Sequence, residues 1–245
     1  MKLKVNEIFD TFQGEGSNIG MPCTFLRLSI CNLHCKWCDT AYTWNFGKGD
    51  GVEERFGSKT YKMSEEVKDL ETREVAKILK EHNVQNLVIS GGEPMLQQAA
   101  LIEMFEHMRD HLAFFPKHIE IETNGTIPLW KNFDAWIAQI NCSPKLASSG
   151  NDLKARYRPE VLRAYRDTGK ACFKFVVTSE EDLQEIIDII EMVGIPQDMV
   201  YLMPQGKTKE EQETFQAKVA EIATANGFNF SPRLHVLLYG NKRGV

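Results

Sequence analysis

The sequence predicts a single α/β domain built on a parallel sheet that is either open or a partial barrel. Short apolar runs that read as strands alternate with segments of helical periodicity. Polar motifs stand directly after most of these runs, and ligands bind at the carboxyl ends of parallel strands. A length of 245 residues, 42% of them hydrophobic, favours one substantial core over two.

The strands and helices are predicted from periodicity and from capping residues. The predicted strands are residues 24–30, 86–90, 118–122, 135–141, 171–177 and 199–203. Helices with one apolar stripe are predicted behind the N-cap residues Thr72, Ser179 and Thr208. The third helix has Glu211 in the capping-box position and Gly227 as its stop signal. The stretch 45–71 is rich in glycine, lacks periodicity, and is predicted as an insertion or lid.

Charge and hydropathy exclude two classes of partner. A net charge of −5 argues against a general nucleic-acid binder, which carries a basic stripe. The sequence has no apolar run of the roughly twenty residues that a membrane span needs. The N-terminus lacks an apolar signal region, so a cytoplasmic protein is expected. In that compartment the cysteines are expected to be metal ligands or reduced thiols.

The most informative motif is the C-x3-C-x2-C cluster of Cys31, Cys35 and Cys38. Three thiolates are one short of the four that usually complete an iron–sulfur cluster. In a four-iron cluster they would leave one iron free to bind another ligand, as a catalytic centre requires. The alternatives are a zinc site completed by His34 or a distant residue, and a group of buried thiols. Zinc ligands usually come as two pairs, and the sequence has no second cysteine pair.

A Gly-Gly-Glu-Pro turn at residues 91–94 follows the second predicted strand. Two glycines let the backbone approach a ligand closely, and Glu93 adds a negative charge. Such a turn suits a small ligand that bears an amino group, although an ordinary strand-to-helix turn has the same composition.

Together, the cysteine cluster and the 91–94 turn resemble the radical S-adenosylmethionine superfamily. The resemblance implies a full or partial (β/α) TIM-like barrel with a 4Fe–4S cluster whose open iron binds S-adenosylmethionine. One electron from the cluster then cleaves the sulfonium, and the resulting adenosyl radical abstracts hydrogen from a substrate. No side chain of the protein is assigned a catalytic role in this hydrogen abstraction, because the radical comes from the cofactor.

Further motifs resemble the 7-carboxy-7-deazaguanine synthase family of queuosine and preQ0 biosynthesis. They are Phe-Asp-Thr-Phe-Gln-Gly-Glu-Gly at 9–16, Asp-Thr at 39–40, Glu-Thr-Asn-Gly-Thr at 122–126, Ser-Pro-Lys at 143–145, Pro-Gln-Gly at 204–206 and Ser-Pro-Arg-Leu-His at 231–235. The resemblance covers nearly the whole chain. It implies a lyase that converts 6-carboxy-5,6,7,8-tetrahydropterin to 7-carboxy-7-deazaguanine and releases ammonia.

The resemblance also implies the site residues. The cluster ligands would be Cys31, Cys35 and Cys38, with Thr40 as a ligand of Mg²⁺ beside the substrate. Contacts to S-adenosylmethionine would come from Gly92, Glu93, Ser143, Lys145 and Gln205. The substrate would be bound by Phe12, Gln13, Gly14, Glu15, Arg27 and Ser90, with Arg27 on its carboxylate. Glu15 could bind the pterin ring or hold its own loop.

The family also implies partners, namely a flavodoxin or ferredoxin as electron donor and a second copy of the chain in a homodimer. One rival function is an activating enzyme for a glycyl-radical protein, which shares the cysteine spacing but leaves the 9–16 and 231–235 motifs unexplained. The other rival is a zinc-stabilised binding module.

Overall fold

The computed structural model describes residues 1–47, 59–82 and 85–245, and the strands in these ranges form one sheet of nine. The strands are β1 (Lys2–Phe12), β2 (Pro22–Leu28), β3 (Lys68–Glu71), β4 (Asn86–Gly91), β5 (His118–Thr123), β6 (Gln139–Cys142), β7 (Ala171–Val177), β8 (Val200–Pro204) and β9 (Asn229–Phe230). The helices are α1 (Met63–Glu66), α2 (Thr72–Glu81), α3 (Gln98–His111), α4 (Leu153–Arg156), α5 (Pro159–Asp167), α6 (Asp182–Val193), α7 (Lys209–Asn226) and α8 (Leu234–Tyr239).

The order across the sheet is β3-β1-β2-β4-β5-β6-β7-β8-β9. From β2 to β9 along this order every neighbouring pair is parallel, as strand–helix alternation predicts. β1 is antiparallel to both of its neighbours, β2 and β3, and β3 is the edge strand on that side of the sheet. The predicted α/β class and its parallel sheet are confirmed.

The two faces of the sheet differ in polarity, and this difference places the site. One set of alternate strand residues, including Leu26, Ile89 and Phe175, is fully buried in the core against the helices. The intervening positions carry Arg27 on β2 and Lys174 on β7, both of which face a cavity on the other side of the sheet. The helix-facing side of the sheet is therefore apolar, and its other side carries charged side chains.

The capping box of α7 is present as predicted. The Thr208 hydroxyl accepts a hydrogen bond from the Glu211 N–H, and the Glu211 carboxylate reaches back to the Thr208 backbone. Gly227 ends the helix with a φ of +69°, a left-handed conformation that glycine adopts without strain. Within the described ranges, no helix is long and apolar enough to cross a bilayer.

Other local predictions were wrong in their boundaries. The predicted strand 135–141 begins instead as a helical turn, Phe133–Trp136, in which Trp136 packs against Phe105, and β6 starts only at Gln139. Thr72 is the first residue of α2 rather than its N-cap, because its hydroxyl donates to Glu103. α6 starts after Glu181, since the Asp182 carboxylate accepts the N–H groups of residues 178 and 179.

Two segments near the N-terminus also depart from expectation. β1 was not predicted, because a register shift between Val5 and Glu7 interrupts its period-two alternation. Residues 62–71 were predicted as part of an insertion or lid, yet they supply α1 and the edge strand β3. The central part of that predicted insertion, 48–58, lies outside the described residues.

Candidate active site

A cavity of about 250 Å³ opens at the carboxyl ends of the parallel strands. Its wall includes the cysteine loop after β2, residues 90–92 at the end of β4, Thr123 and Asn124 at the end of β5, Ser143 after β6 and Gln205 after β8. All of the predicted site residues except Glu93 line this cavity. Motifs far apart in the sequence therefore meet at one edge of the sheet, as the topology requires.

The three cysteines of the cluster motif are free thiols facing the cavity. Each sulfur accepts a different N–H group: Leu33 N at 3.5 Å from Cys31, Asn151 Nδ2 at 3.3 Å from Cys35, and Trp44 Nε1 at 3.2 Å from Cys38. Burial raises the pKa of the Cys31 thiol to about 12. A metal that binds there must therefore replace a firmly held proton, as thiolate ligation by iron does.

The spacing of these side chains bears on the choice between zinc and a cluster. In the described part of the chain, no three His, Cys, Asp or Glu side chains lie close enough together to hold one metal ion. Tetrahedral zinc, with Zn–S bonds of about 2.3 Å, would need its sulfurs within about 4 Å of one another. In a four-iron cluster each cysteine binds a different iron, so the sulfurs stand farther apart. The described side chains therefore do not form a three-ligand site for a single zinc ion.

The Gly91–Gly92 pair lets β4 pack directly on the start of the cysteine loop. A Cβ on Gly92 would lie 2.1 Å from the carbonyl oxygen of Ile30, and one on Gly91 would lie 1.9 Å from that of Leu28. The backbones are joined by hydrogen bonds from Gly92 N to Leu28 O (2.9 Å) and from Glu93 N to Ile30 O (2.8 Å). The glycines therefore fix the position of the cysteine loop, besides lining the cavity.

Glu93 lies behind the cavity wall and is fully buried. Its carboxylate accepts hydrogen bonds from the N–H groups of Met95 and Asn124 and from the Thr123 hydroxyl. Burial raises the pKa of this carboxyl, although the three hydrogen bonds act in the opposite direction. In this arrangement the carboxylate ties the 91–94 turn to the 122–126 loop, and its predicted contact with S-adenosylmethionine is untested.

Ser143, Lys145 and Gln205 line the cavity, and Lys145 is next to the cysteine loop. Lys145 Nζ donates to Ser143 Oγ (2.8 Å) and lies 5.6 Å from the centre of the Trp37 ring. The Gln205 N–H is bonded to Val177 O (2.8 Å), which fixes the loop after β8. Ser143 and Lys145 therefore give the cavity polar groups next to the cysteine loop, and Gln205 adds another polar side chain to its lining.

Arg27 also lines the cavity, and its guanidinium lies over two aromatic rings. Its Cζ atom is 5.6 Å from the centre of the Phe9 ring and 5.8 Å from that of Phe25, and the two rings stack at 5.4 Å. Its Nε donates to Glu7 Oε1 at 2.8 Å, and Tyr42 donates to the same oxygen. Burial acts to lower the pKa of Arg27, but Tyr42 and Glu7 raise it on balance. The cation is thus fixed before any ligand binds.

Thr40 follows the cysteine loop directly and lines the cavity. Its hydroxyl lies 3.6 Å from Cys38 Sγ, and its carbonyl oxygen accepts both the N–H and the hydroxyl of Thr43. The backbone is therefore anchored while the hydroxyl remains next to the cavity.

The Gln13–Gly16 turn packs against the closing 231–235 motif. Leu234 N donates to Gly14 O (2.9 Å), and Gly16 N donates to Ser231 Oγ (2.8 Å). A Cβ on Gly14 would lie only 2.3 Å from His235 Nδ1, so no larger residue fits without a shift. The two motifs therefore hold each other's backbone in place through direct hydrogen bonds.

An ion-pair network, defined here as Glu15, Asp39, Lys174 and Arg233, lies beneath this turn. Glu15 accepts Lys174 Nζ at 2.5 Å and Arg233 Nε at 2.9 Å, and Arg233 also pairs with Asp39. Burial acts to raise the pKa of Glu15, but Lys174 and Arg233 lower it well below its usual value. The predicted site residue Glu15 is therefore engaged by two cations, which favours the alternative that it holds its loop.

Sequence reasoning missed several residues that line the cavity, among them Tyr42, Glu122, Lys174 and Arg233. A signal for Lys174 exists, because a charged residue in the centre of the apolar strand β7 must be paired when buried. Residues 240–245 also line the cavity, and they are held by Arg243, whose Cζ atom is 3.6 Å from the centre of the Tyr42 ring. No periodicity or motif marks that segment.

Comparisons with known proteins give a consistent result. A family model described as a 4Fe-4S single cluster domain matches residues 12–134. A 7-carboxy-7-deazaguanine synthase from Pyrobaculum aerophilum is 34% identical over 245 residues, which cover 99% of this chain and 97% of the relative. The crystal structure of QueE from Escherichia coli matches with a TM-score of 0.66 at 22% identity, over 96% of this chain and 95% of QueE. That of Streptococcus suis SuiB bound to S-adenosylmethionine matches with a TM-score of 0.50 at 16% identity, over 85% of this chain and 50% of SuiB.

Proposed function

This chain belongs to the 7-carboxy-7-deazaguanine synthase family, and from that premise we propose the reaction it performs. It is a radical S-adenosylmethionine lyase that converts 6-carboxy-5,6,7,8-tetrahydropterin to 7-carboxy-7-deazaguanine with release of ammonia. One observation carries the proposal: the three cysteines and the fixed cation Arg27 line the same cavity. A site that positions a carboxylated substrate beside a cluster needs this combination.

When bound, the cluster and S-adenosylmethionine supply the one-electron chemistry that starts the reaction. The chain's own residues bind and orient the reactants. Cys31, Cys35 and Cys38 are proposed as the cluster ligands. Gly92, Glu93, Ser143, Lys145 and Gln205 are proposed to bind or support S-adenosylmethionine. Support for this ligand comes from its presence in SuiB, which shares the fold.

Arg27, which lines the same cavity, is proposed to bind the substrate carboxylate. Its Nε is occupied by Glu7, which leaves the terminal nitrogens for a charge-assisted contact. Phe12, Gln13, Gly14 and Ser90 are proposed to enclose the pterin. Glu15 is proposed to act through the turn that it holds.

Mg²⁺ beside the substrate is proposed to have Thr40 as its protein ligand. A hard cation takes oxygen ligands, and one hydroxyl completed by substrate and water is chemically reasonable. Thr40→Ala should therefore change the Mg²⁺ concentration that gives half-maximal product formation. Thr224→Ala is the control, because the Thr224 hydroxyl donates to the Ala220 carbonyl on the exposed surface of α7. An unchanged Mg²⁺ response in Thr40→Ala would remove Thr40 as a ligand.

The remaining partners are also proposals. A flavodoxin or ferredoxin is proposed to deliver the electron, since the cluster requires a one-electron donor, and a homodimer is proposed from the family resemblance. Light scattering of the purified protein gives the mass of the assembly, and a monomer would refute the dimer. A cytoplasmic location stays a prediction.

The function is tested by mass spectrometry under strict anaerobiosis. The reconstituted protein receives S-adenosylmethionine, a reductant, Mg²⁺ and 6-carboxytetrahydropterin, and the products are followed over time. The proposal expects 7-carboxy-7-deazaguanine to form, with each of the four additions required. Formation of 5′-deoxyadenosine without the deazaguanine would support radical cleavage of S-adenosylmethionine but refute the proposed substrate. The rival function, an activating enzyme for a glycyl-radical protein, would then be tested next. If a protein with full iron and sulfide forms neither product, the enzyme assignment is wrong.

A further inference from the structure

Two side chains outside the cysteine motif donate hydrogen bonds to its sulfur atoms. Trp44 Nε1 lies 3.2 Å from Cys38 Sγ, and Asn151 Nδ2 lies 3.3 Å from Cys35 Sγ. The third sulfur, that of Cys31, accepts the backbone N–H of Leu33 at 3.5 Å. Two of these three N–H donors are side chains and can be removed by substitution, and the Thr40 hydroxyl also lies 3.6 Å from Cys38 Sγ.

Both donors are held in place by the same residue of the loop, His34. The Trp44 ring stacks on the His34 ring, with centroids 4.7 Å apart and planes 21° apart. Asn151 Oδ1 accepts the His34 N–H at 2.8 Å, and Asn151 Nδ2 also reaches Ser149 Oγ at 3.1 Å. These contacts aim the two N–H groups at the sulfurs before a cluster is present.

We propose that Trp44 and Asn151 are positioning residues that raise the reduction potential of the cluster through Cys38 and Cys35. The inference rests on the proposed ligation of the cluster by these cysteines. Hydrogen bonds to cluster sulfurs are an established lever on potential. When an external reductant delivers one electron, the cluster gains one negative charge and no covalent bond forms or breaks. An N–H dipole aimed at a sulfur stabilises the more negative, reduced state, so each bond favours reduction.

The first test replaces Trp44 with phenylalanine, which removes the N–H but keeps an aromatic ring over His34. The midpoint potential of the reconstituted, full-length protein is measured by redox titration followed by electron paramagnetic resonance. At a fixed solution potential the ratio of reduced to oxidised cluster should fall about tenfold, which is about 59 mV for one electron. Trp37→Phe is the matched control, because Trp37 Nε1 has no hydrogen-bond acceptor among the described residues. Equal shifts in the two variants would overturn the proposal.

The second test is independent of Trp44. Asn151→Leu removes the donor to Cys35 and should also lower the potential. Asn32→Leu is its control, because the Asn32 amide contacts Thr126 and Asn124 rather than a cysteine sulfur. Iron and acid-labile sulfide are counted in every sample. Full cluster content with an unchanged potential in both Trp44→Phe and Asn151→Leu would overturn the inference alone. Wild-type protein that fails to assemble a cluster would instead overturn the proposed ligation.

Discussion

The cysteine loop, residues 31–38, and the ion-pair network of Glu15, Asp39, Lys174 and Arg233 bound the same cavity, yet they are built in opposite ways. The loop brings its sulfurs together within eight residues, and neutral N–H groups support them. The network joins charges that are 159 and 218 residues apart, from Glu15 to Lys174 and from Glu15 to Arg233. The loop depends on local spacing, and the network depends on the completed sheet.

This difference predicts how each region fails. Removal of a cysteine should abolish the cofactor while the sheet stays folded, because the loop adds little to the core. Removal of a network charge should destabilise the fold, because it leaves an opposite charge buried without its partner. The substitutions below test this contrast and then separate cluster binding from substrate binding.

The largest effect is expected from Cys35→Ser. Loss of one of three thiolate ligands should prevent stable cluster assembly and reduce product formation below detection. Iron content and the visible absorption of the reconstituted protein measure the loss. Cys23→Ser is the control, since Cys23 is a buried thiol on β2 that does not line the cavity. Full iron content in Cys35→Ser would contradict the ligand assignment.

The same contrast explains which parts of the site could be predicted from the sequence. The cysteine loop and the 91–94 turn are contiguous motifs whose chemistry is evident from spacing. Arg233 and Asp39 are joined only after the chain has crossed the whole sheet, so no local pattern pairs them. The bulge near Val5 hid β1, and the helical turn at Phe133–Trp136 hid the true start of β6. The parallel direction of the strands and a site at the carboxyl edge of the sheet followed from strand–helix alternation.

The second effect concerns stability. Arg233→Leu would leave Asp39 and the carbonyl of Gly206 without their cation. Breaking a buried pair on one side costs about 3–5 kcal/mol of unfolding free energy. Urea denaturation of the apoprotein measures the cost. Arg158→Leu is the matched control, because Arg158 pairs with Glu160 at the surface and its removal should cost at most about 1 kcal/mol. Equal losses in both variants would contradict the special role of the network.

The third effect separates substrate binding from cluster binding. Arg27→Ala should lower kcat/KM for the carboxylated pterin by about 10- to 150-fold, the equivalent of about 1.5–3 kcal/mol for a hydrogen bond to a charged group. Iron and sulfide content should stay at the wild-type level, because the Arg27 guanidinium contacts Glu7 and two aromatic rings rather than a cysteine sulfur. Arg27→Lys keeps the positive charge but loses the planar guanidinium, so its kcat/KM should lie between those of the wild-type protein and Arg27→Ala. Loss of cluster iron in Arg27→Ala would refute the assigned role.

The smallest effect concerns Glu15 and Glu122, the two carboxylates that pair with Lys174, because their pKa shifts are opposite in direction. Lys174 and Arg233 hold the pKa of Glu15 well below its usual value against the effect of burial, whereas burial raises the pKa of Glu122. A lowered pKa in the folded state stabilises the protein above the unfolded-state pKa, and that contribution is lost as the pH falls. A raised pKa does the reverse, and its contribution is lost as the pH rises.

The unfolding free energy of the apoprotein, measured by urea denaturation from pH 6 downward, should therefore respond oppositely to the two substitutions. Glu15→Gln should flatten the loss of stability with acid, since it removes a carboxylate that resists protonation only when folded. Glu122→Gln should steepen that loss, since it removes a group that gains stability on protonation in the folded state. If the unfolding free energy falls with acid at the same slope in both variants, the opposite pKa shifts of Glu15 and Glu122 are wrong. The network would then act as one diffuse charge cluster rather than as the directed pairs that fix the Gln13–Gly16 turn.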